Sequence, residues 1–202
     1  MHADRLDRVR RAMAENDVEV CLLSVGPDLP WLTGYEAMPL ERLTMLVVPR
    51  DGDAVLVVPA LEVPRVVPRD DVFRIRSWGE TDDPVAIVAG LMGHAGVAAI
   101  GDRTWARFLV ELQRARPEVA FTTTAPVIGP LRAVKDPHEV AALRRAAHAV
   151  DRIAAQLQAG EIALVGRTEA QVSAEISRRL LDEGHQRVNF AIVAAGPNSA
   201  SP

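Results

Sequence analysis

The sequence predicts an α/β protein in which helices flank a mixed β-sheet, and three observations lead to this prediction. Short apolar runs that are typical of buried strands alternate with segments of helical periodicity along the chain. Two of these runs, residues 43–49 and 54–59, flank Asp51-Gly52, a dipeptide favoured in tight turns, and therefore indicate a β-hairpin. A hairpin pairs its strands antiparallel, whereas strands joined through a helix commonly pair in parallel, so we expect both kinds of pairing.

The first elements are a helix and a buried strand, followed by a long connection. The helix over residues 4–15 rests on apolar residues spaced three or four apart, namely Leu6, Val9 and Met13. The apolar run at 18–24 predicts the strand. The connection at 25–42 is long enough that we expect it to contain a helical turn or to serve a function. Its aromatic residues, Trp31 and Tyr35, are expected to pack in the interior more readily than to contact a ligand.

Alternating strands and helices continue to about residue 125. They are predicted as a short helix at 61–67 interrupted by Pro64, a half-exposed strand at 72–78, a helix at 84–92, a strand at 97–100, a helix at 104–114 and a strand at 119–123. Asp82 or Asp83 can cap the helix that begins with Pro84, because proline suits the first helical turn. The apolar face of the 104–114 helix consists of Trp105, Phe108, Leu109 and Leu112.

A domain boundary is predicted near residues 125–135, where two prolines and a glycine interrupt the pattern. Residues 1–130 would form the first domain and residues 131–202 the start of a second. Two capping boxes, Asp136 to Glu139 and Thr168 to Gln171, predict two helices beyond the boundary. The first helix carries a periodic apolar stripe comprising Val140, Leu143, Ala147, Val150, Ala154 and Leu157, and Val140 and Leu143 are expected to be poorly covered in these 202 residues. The second is expected to bury Val172, Ile176 and Leu180. The last segment, 188–202, reads as an apolar strand that ends in a Gly-Pro-Asn turn.

Composition excludes several classes of function and predicts a cytoplasmic protein. A net charge of −4 provides no basic surface for nucleic acid. No apolar run approaches the roughly 20 residues that span a membrane, and the N-terminus lacks the apolar core of a signal peptide. A lone cysteine, Cys21, lies within an apolar run, so we expect a buried thiol in a reducing compartment.

Composition and spacing alone identify no catalytic residue. None of the five histidines has a metal-ligand neighbourhood, and the HExxH, CxxC, GxSxG and GxGxxG motifs are all missing from the sequence. Asp102 follows a strand and precedes a helix, which is a position of active-site residues in α/β proteins and also the position of an N-cap. We favour the N-cap, because aspartate is among the residues preferred there.

Three segments in order carry a family resemblance: WLTGY at 31–35, VKDPHEVAALRRA at 134–146 and FAIVAAGPNSASP at 190–202. They resemble the YLTGF, K(S/D)xxEIxxxRxA and IVASGxNxAxPH segments of the creatinase/aminopeptidase P/prolidase family of pita-bread metallohydrolases. The resemblance implies a creatinase-type N-terminal domain. It also implies that the first two helices and first strand of a truncated pita-bread domain follow.

The same resemblance implies an Xaa-Pro peptidase that uses two divalent metal ions, manganese, cobalt or zinc, to hydrolyse the bond before proline. The family's five metal ligands lie downstream of the segment ending at Pro202, so no metal or catalytic residue transfers to this chain. We therefore expect the 202 residues alone to bind no metal and to be inactive. Implied partners are a proline-containing peptide or dipeptide and a second subunit in a homodimer.

The resemblance also points to three substrate-binding residues, Asn189, Phe190 and Asn198. Phe190 can equally be an ordinary core residue, and Asn198 is expected to shape the turn more than to contact substrate. Two other functions remain open: a non-catalytic pita-bread relative that binds peptides or proteins, and, less favoured, a creatine amidinohydrolase.

Overall fold

The computed structural model describes residues 1–200, and the chain divides after Val134 into two compact units. The strands are β1 (Val20–Leu23), β2 (Met45–Pro49), β3 (Val55–Pro59), β4 (Arg74–Trp78), β5 (Val97–Ile100) and β6 (Ala120–Thr123). The α-helices are α1 (His2–Glu15), α2 (Asp28–Thr33), α3 (Pro84–Leu91), α4 (Ala106–Ala115), α5 (Ala125–Ala133), α6 (Pro137–Gln158) and α7 (Glu169–Asp182). Short 3₁₀ helices occupy Ala60–Arg65 and Gly196–Ala200.

The described residues of the first unit form one six-stranded sheet in the order β4-β3-β2-β1-β5-β6. β1 pairs antiparallel with β2 and parallel with β5, which confirms the predicted mixed sheet. The predicted hairpin is β2-β3, whose register places Val47 opposite Val55. Gly52 adopts a φ of 105° in the connecting turn, a conformation that a residue with a side chain rarely reaches.

The central strand β1 is buried on both faces of the sheet. Cys21 and Leu23 join a core cluster formed with α1, α2 and α5, whereas Val20 and Leu22 join a second cluster formed with α3 and α4. Successive side chains of a strand point to opposite faces, so an entirely apolar strand needs helices on both sides. This arrangement explains why β1 is a continuous apolar run and does not alternate with polar residues.

Several features of the first unit that were predicted from short sequence patterns are present in the structure. Asp83 caps α3 by accepting hydrogen bonds from the backbone N–H groups of Val85 and Ala86, both at 3.0 Å. The long connection at 25–42 contains α2, which ends where Gly34 adopts a φ of 73°. Trp31 and Tyr35 are both buried in the core cluster that α2 joins, so the packing role predicted for the two aromatics is confirmed.

Two predictions around α4 are wrong. Asp102 does not cap the helix, because Trp105 holds the N-cap position and no side chain accepts a capping hydrogen bond. Asp102 lies instead in a turn closed by the hydrogen bond from Thr104 N–H to the Gly101 carbonyl. Trp105 is 43% exposed and stacks on Phe108 with ring centroids 6.3 Å apart. Its place before the first helical turn keeps it off the buried face.

The segment predicted as an interruption at 125–133 is helix α5. Pro126 lies in its first turn, where a missing N–H removes no hydrogen bond, while Pro130 lies inside the helix. Val127 and Ile128 are buried in the same cluster as α1, which stabilises the helix despite its prolines and glycine. Tertiary packing therefore overrides the weak helix propensity of this stretch.

The second unit is built on α6 and α7, and both predicted capping boxes are present. Its small core consists of Ile153, Ile162 and Val172, with Leu157, Ile176, Leu180 and Val193 packed around it. Of the apolar stripe predicted on α6, Leu157 packs against this core, whereas Leu143 is 58% exposed, as expected, and Val150 is 49% exposed. Ala149 and Ile153, which lie outside that stripe, are buried. α6 carries two apolar stripes, and the core of this unit covers the one that contains Ile153.

Within residues 1–200, no helix combines the length and the apolar character needed to cross a membrane.

The reactivity of the Cys21 thiol tests whether strand β1 is buried. Its thiol is fully buried, and burial raises the pKa of Cys21 to about 12, compared with about 8.5 in an unfolded chain. At pH 8 an aromatic disulfide reagent should therefore react with Cys21 only as fast as the protein unfolds, and should react at once in guanidinium chloride.

The same burial makes stability depend on pH. Because the pKa of Cys21 is higher in the folded than in the unfolded chain, the unfolded chain loses the thiol proton first, and the free energy of unfolding falls as pH rises above about 9.

The matched control combines Cys21→Ala with Ala115→Cys, which places a thiol at the exposed C-terminal end of α4. That thiol should react immediately in the native protein. Equally rapid reaction of native Cys21 would contradict the buried central strand.

Candidate functional site

The three predicted site residues lie on one segment that follows α7. Asn189, Phe190 and Asn198 are all exposed, and Phe190 is 77% exposed. Phe190 is therefore not an ordinary core residue of the second unit. The segment brings all three residues to the surface within ten positions of one another, and the side-chain hydrogen bonds of Asn198 go to Glu169.

The stretch at 188–195 is not the predicted strand. Its apolar sequence suits a strand, but no strand among the described residues pairs with it. A single extended segment cannot satisfy its own backbone groups, and isolated strands are not stable. Side chains of α7 contact its backbone instead, and among them the Ser173 hydroxyl donates to the Ala191 carbonyl at 2.7 Å. The predicted turn is present as the 3₁₀ helix Gly196–Ala200, and Pro202 lies outside the described residues.

Glu169, which the sequence did not single out, holds this turn in place. Its carboxylate accepts a hydrogen bond from Ala195 N–H at 2.6 Å and two from the Asn198 side-chain amide at 3.0 and 3.2 Å. The predicted role of Asn198 in shaping the turn is thus accompanied by a specific side-chain contact. The contact joins residues 29 apart in sequence, so neither helical spacing nor a capping pattern could have indicated it.

An open cavity of about 430 Å³ lies between the start of α7 and the extended segment. It is lined by Glu169, Ala170, Ser173, Ala191, Ile192, Val193, Ala194 and Asn198. Backbone amide and carbonyl groups of an unpaired extended segment can hydrogen-bond another extended chain, as in strand addition. The Glu169 carboxylate already accepts hydrogen bonds from Ala195 and Asn198. The arrangement is suited to binding more than to acid–base chemistry.

The described residues do not supply a metal centre. They contain no cluster of three or more histidine, cysteine, aspartate or glutamate side chains that could hold an ion. The two-metal centre implied by the family resemblance therefore does not fit these residues.

Asp102 and Tyr35 do not form a second site. Asp102 lines a cavity of only about 10 Å³ at the ends of β1 and β5, roughly the space for one water molecule. Tyr35 donates its hydroxyl hydrogen to Glu62 at 3.1 Å, and Glu62 also pairs with Arg65 at 2.7 Å. Burial, with the neighbouring Glu62, raises the pKa of Tyr35 to about 12, so its hydroxyl remains protonated at neutral pH.

Comparison with known proteins gives consistent matches along the whole chain. Residues 5–134 match the family model of the creatinase/prolidase N-terminal domain. The probable dipeptidase PepE of Mycobacterium tuberculosis is 35% identical over 206 residues, covering 100% of this chain and 54% of that protein. The Xaa-Pro dipeptidase of Lactobacillus helveticus is 26% identical over 211 residues, covering 98% of this chain and 55% of that protein.

A solved structure extends the match to three dimensions. The crystal structure of dipeptidase PepE from Mycobacterium ulcerans superposes with a TM-score of 0.89 at 36% sequence identity, covering 100% of this chain and 54% of that one. The chain spans about half the length of these three relatives.

The exposure of Phe190 yields a stability test. Phe190→Ala should change the free energy of unfolding by no more than about 0.5 kcal/mol, as surface substitutions usually do. Val172→Ala, which removes two methyl groups from the small core, should cost about 1–2 kcal/mol. Urea unfolding followed by circular dichroism measures both variants. A loss of about 3 kcal/mol in Phe190→Ala would show that the ring is a core residue after all.

Proposed function

Because the chain belongs to the creatinase/prolidase N-terminal domain family, we propose that it forms the N-terminal half of a dipeptidase that hydrolyses the bond before proline. The observation that supports this function best is the match of both units, and not of the first alone, to a dipeptidase of known structure. That match includes α6, α7 and the segment that follows, which is where the candidate site lies.

The substrate chemistry suits the surface next to the cavity. The peptide nitrogen of proline carries no hydrogen, so an Xaa-Pro bond can be held through its carbonyl and through the apolar pyrrolidine ring. Phe190 and Ile192 offer exposed apolar side chains, and Asn189 offers an exposed amide that can donate to a carbonyl or carboxylate. We assign apolar contact with the pyrrolidine ring to Phe190 and Ile192, and a polar contact with the substrate to Asn189.

The metal chemistry belongs to another part of the enzyme in this proposal. Two divalent ions, manganese, cobalt or zinc, are expected in the whole enzyme from the family resemblance. No cluster among the described residues fits them, so we assign their ligands to the half of the relatives' length that this chain does not span. On that basis the 202 residues alone hydrolyse no Xaa-Pro substrate.

The lone cysteine in an apolar run supports a reducing, cytoplasmic location, and the family resemblance further supports a homodimer. Its partner is a proline-containing peptide or dipeptide, and the net charge of −4 favours neither nucleic acid nor an anionic membrane surface.

A chimera tests the function directly. Residues 1–200 are joined to the remaining C-terminal portion of the Mycobacterium tuberculosis dipeptidase and assayed with Xaa-Pro dipeptides, matched Xaa-Ala dipeptides and creatine. We expect cleavage of the Xaa-Pro series only, and no cleavage by the 202-residue chain alone. Phe190→Ala should raise KM about tenfold with little change in kcat, because it removes apolar contact with the bound ring.

The matched control is Leu61→Ala, an exposed leucine in the first unit and far from residue 190 in sequence. It should leave KM unchanged. A folded chimera that hydrolyses creatine, or that cleaves Xaa-Ala as well as Xaa-Pro, would contradict the proposed substrate class.

A further inference from the structure

The geometry assigns Glu169 the role of a positioning residue for the dipeptidase reaction, acting through Ala195 and Asn198. This inference rests on the proposed function, because it concerns how the substrate-facing segment at 188–198 is held. Glu169 itself is not a catalytic residue. Its carboxylate fixes the turn that follows the extended segment and so sets where Phe190, Ile192 and the cavity wall lie.

Three features give Glu169 a rigid base. It is the first residue of α7, directly after the N-cap Thr168, whose capping box is complete. Thr168 accepts from Gln171 N–H at 3.3 Å and donates its own N–H to the Gln171 side chain at 3.0 Å. One turn further along, Val172 is buried in the core with Ile153. The helix end that carries the carboxylate is therefore fixed on both sides.

The segment that Glu169 holds has few other supports. It is not paired in the sheet of the described residues, and its large apolar side chains, Phe190 and Ile192, are exposed. The hydrogen bond from the Ser173 hydroxyl to the Ala191 carbonyl and the packing of Val193 against the small core hold the middle of the segment. The three hydrogen bonds to Glu169 fix its end. Hydrogen bonds to an ionised carboxylate are about twice as strong as neutral ones, so the contact with Glu169 is the stronger of the two polar anchors.

The chemistry of the contact explains why a carboxylate is used. Ala195 N–H and the Asn198 NH₂ group are all donors, and an ionised carboxylate accepts on both oxygens. A glutamine at 169 keeps one acceptor oxygen for Ala195 N–H but turns its own NH₂ toward the amide of Asn198. An alanine removes every acceptor. Binding geometry is sensitive to such supports, because a displacement of about 1 Å in a positioned group can cost about 100-fold in rate.

Hydrogen exchange of the 202-residue chain tests the anchor without any assay of activity. Glu169→Ala should accelerate amide exchange in residues 191–198 by about tenfold or more, and Glu169→Gln by less. The matched control is Glu175→Ala on the same helix, since Glu175 pairs with Arg178 and Arg179 and does not touch the segment. It should leave exchange at 191–198 unchanged. Unchanged exchange in Glu169→Ala would overturn the inference.

Kinetics of the chimera then separate positioning from mere stability. Glu169→Ala should lower kcat/KM for Xaa-Pro dipeptides about tenfold or more, with substantial rescue in Glu169→Gln and no effect of Glu175→Ala. Accelerated exchange with an unchanged kcat/KM would overturn the positioning role. If the unsubstituted chimera is itself inactive, the proposed function fails, whereas the exchange experiment still decides whether Glu169 holds the segment.

Discussion

The two-faced burial of strand β1 is the constraint on which the first unit depends. Val20–Leu23 lies between the antiparallel strand β2 and the parallel strand β5, so both halves of the sheet meet along it. Its side chains alternate between two separate core clusters, and each cluster needs its own layer of helices. α1, α2 and α5 form one layer, and α3 and α4 form the other. Removing either layer would expose one face of an entirely apolar strand.

The second unit depends on a smaller set of interactions, and these carry the proposed function. Capping boxes fix the starts of α6 and α7, and three buried residues hold the unit together. The Glu169 carboxylate at the start of α7, together with Ser173 and the packing of Val193, then secures a segment that has no strand partner among the described residues. Rigid helix ends thus support a segment with exposed apolar and amide groups, a common arrangement for binding sites.

Signals that depend on near neighbours predicted the structure well. The turn at Asp51-Gly52, the Asp83 cap and both capping boxes act over two to four residues, and all are present. Features set by distant partners were missed. The buried stripe of α6 could not be chosen from the sequence because the helix has two apolar stripes. α5 forms despite two prolines and a glycine, because Val127 and Ile128 are buried against the core.

In the candidate site, too, features that depend on distant residues were not predicted from the sequence. Its three residues were placed by a family resemblance, and the structure puts them on one exposed segment. Phe190 was left open between pocket and core, and among the described residues its side chain is exposed. The strand expected at the end of the chain is absent from the described residues, because a strand forms only with a partner. Glu169 was not found at all, since its contact spans 29 positions.

In the proposed enzyme this chain supplies scaffold and binding surface, and the metal-dependent chemistry is assigned to the other half. The most direct measurement is equilibrium dialysis of the 202-residue chain against manganese, cobalt and zinc, with the bound metal quantified by mass spectrometry. We expect no stoichiometric binding of any of the three ions. Retention of about two ions per chain with a Kd of about 1 μM or tighter would contradict it.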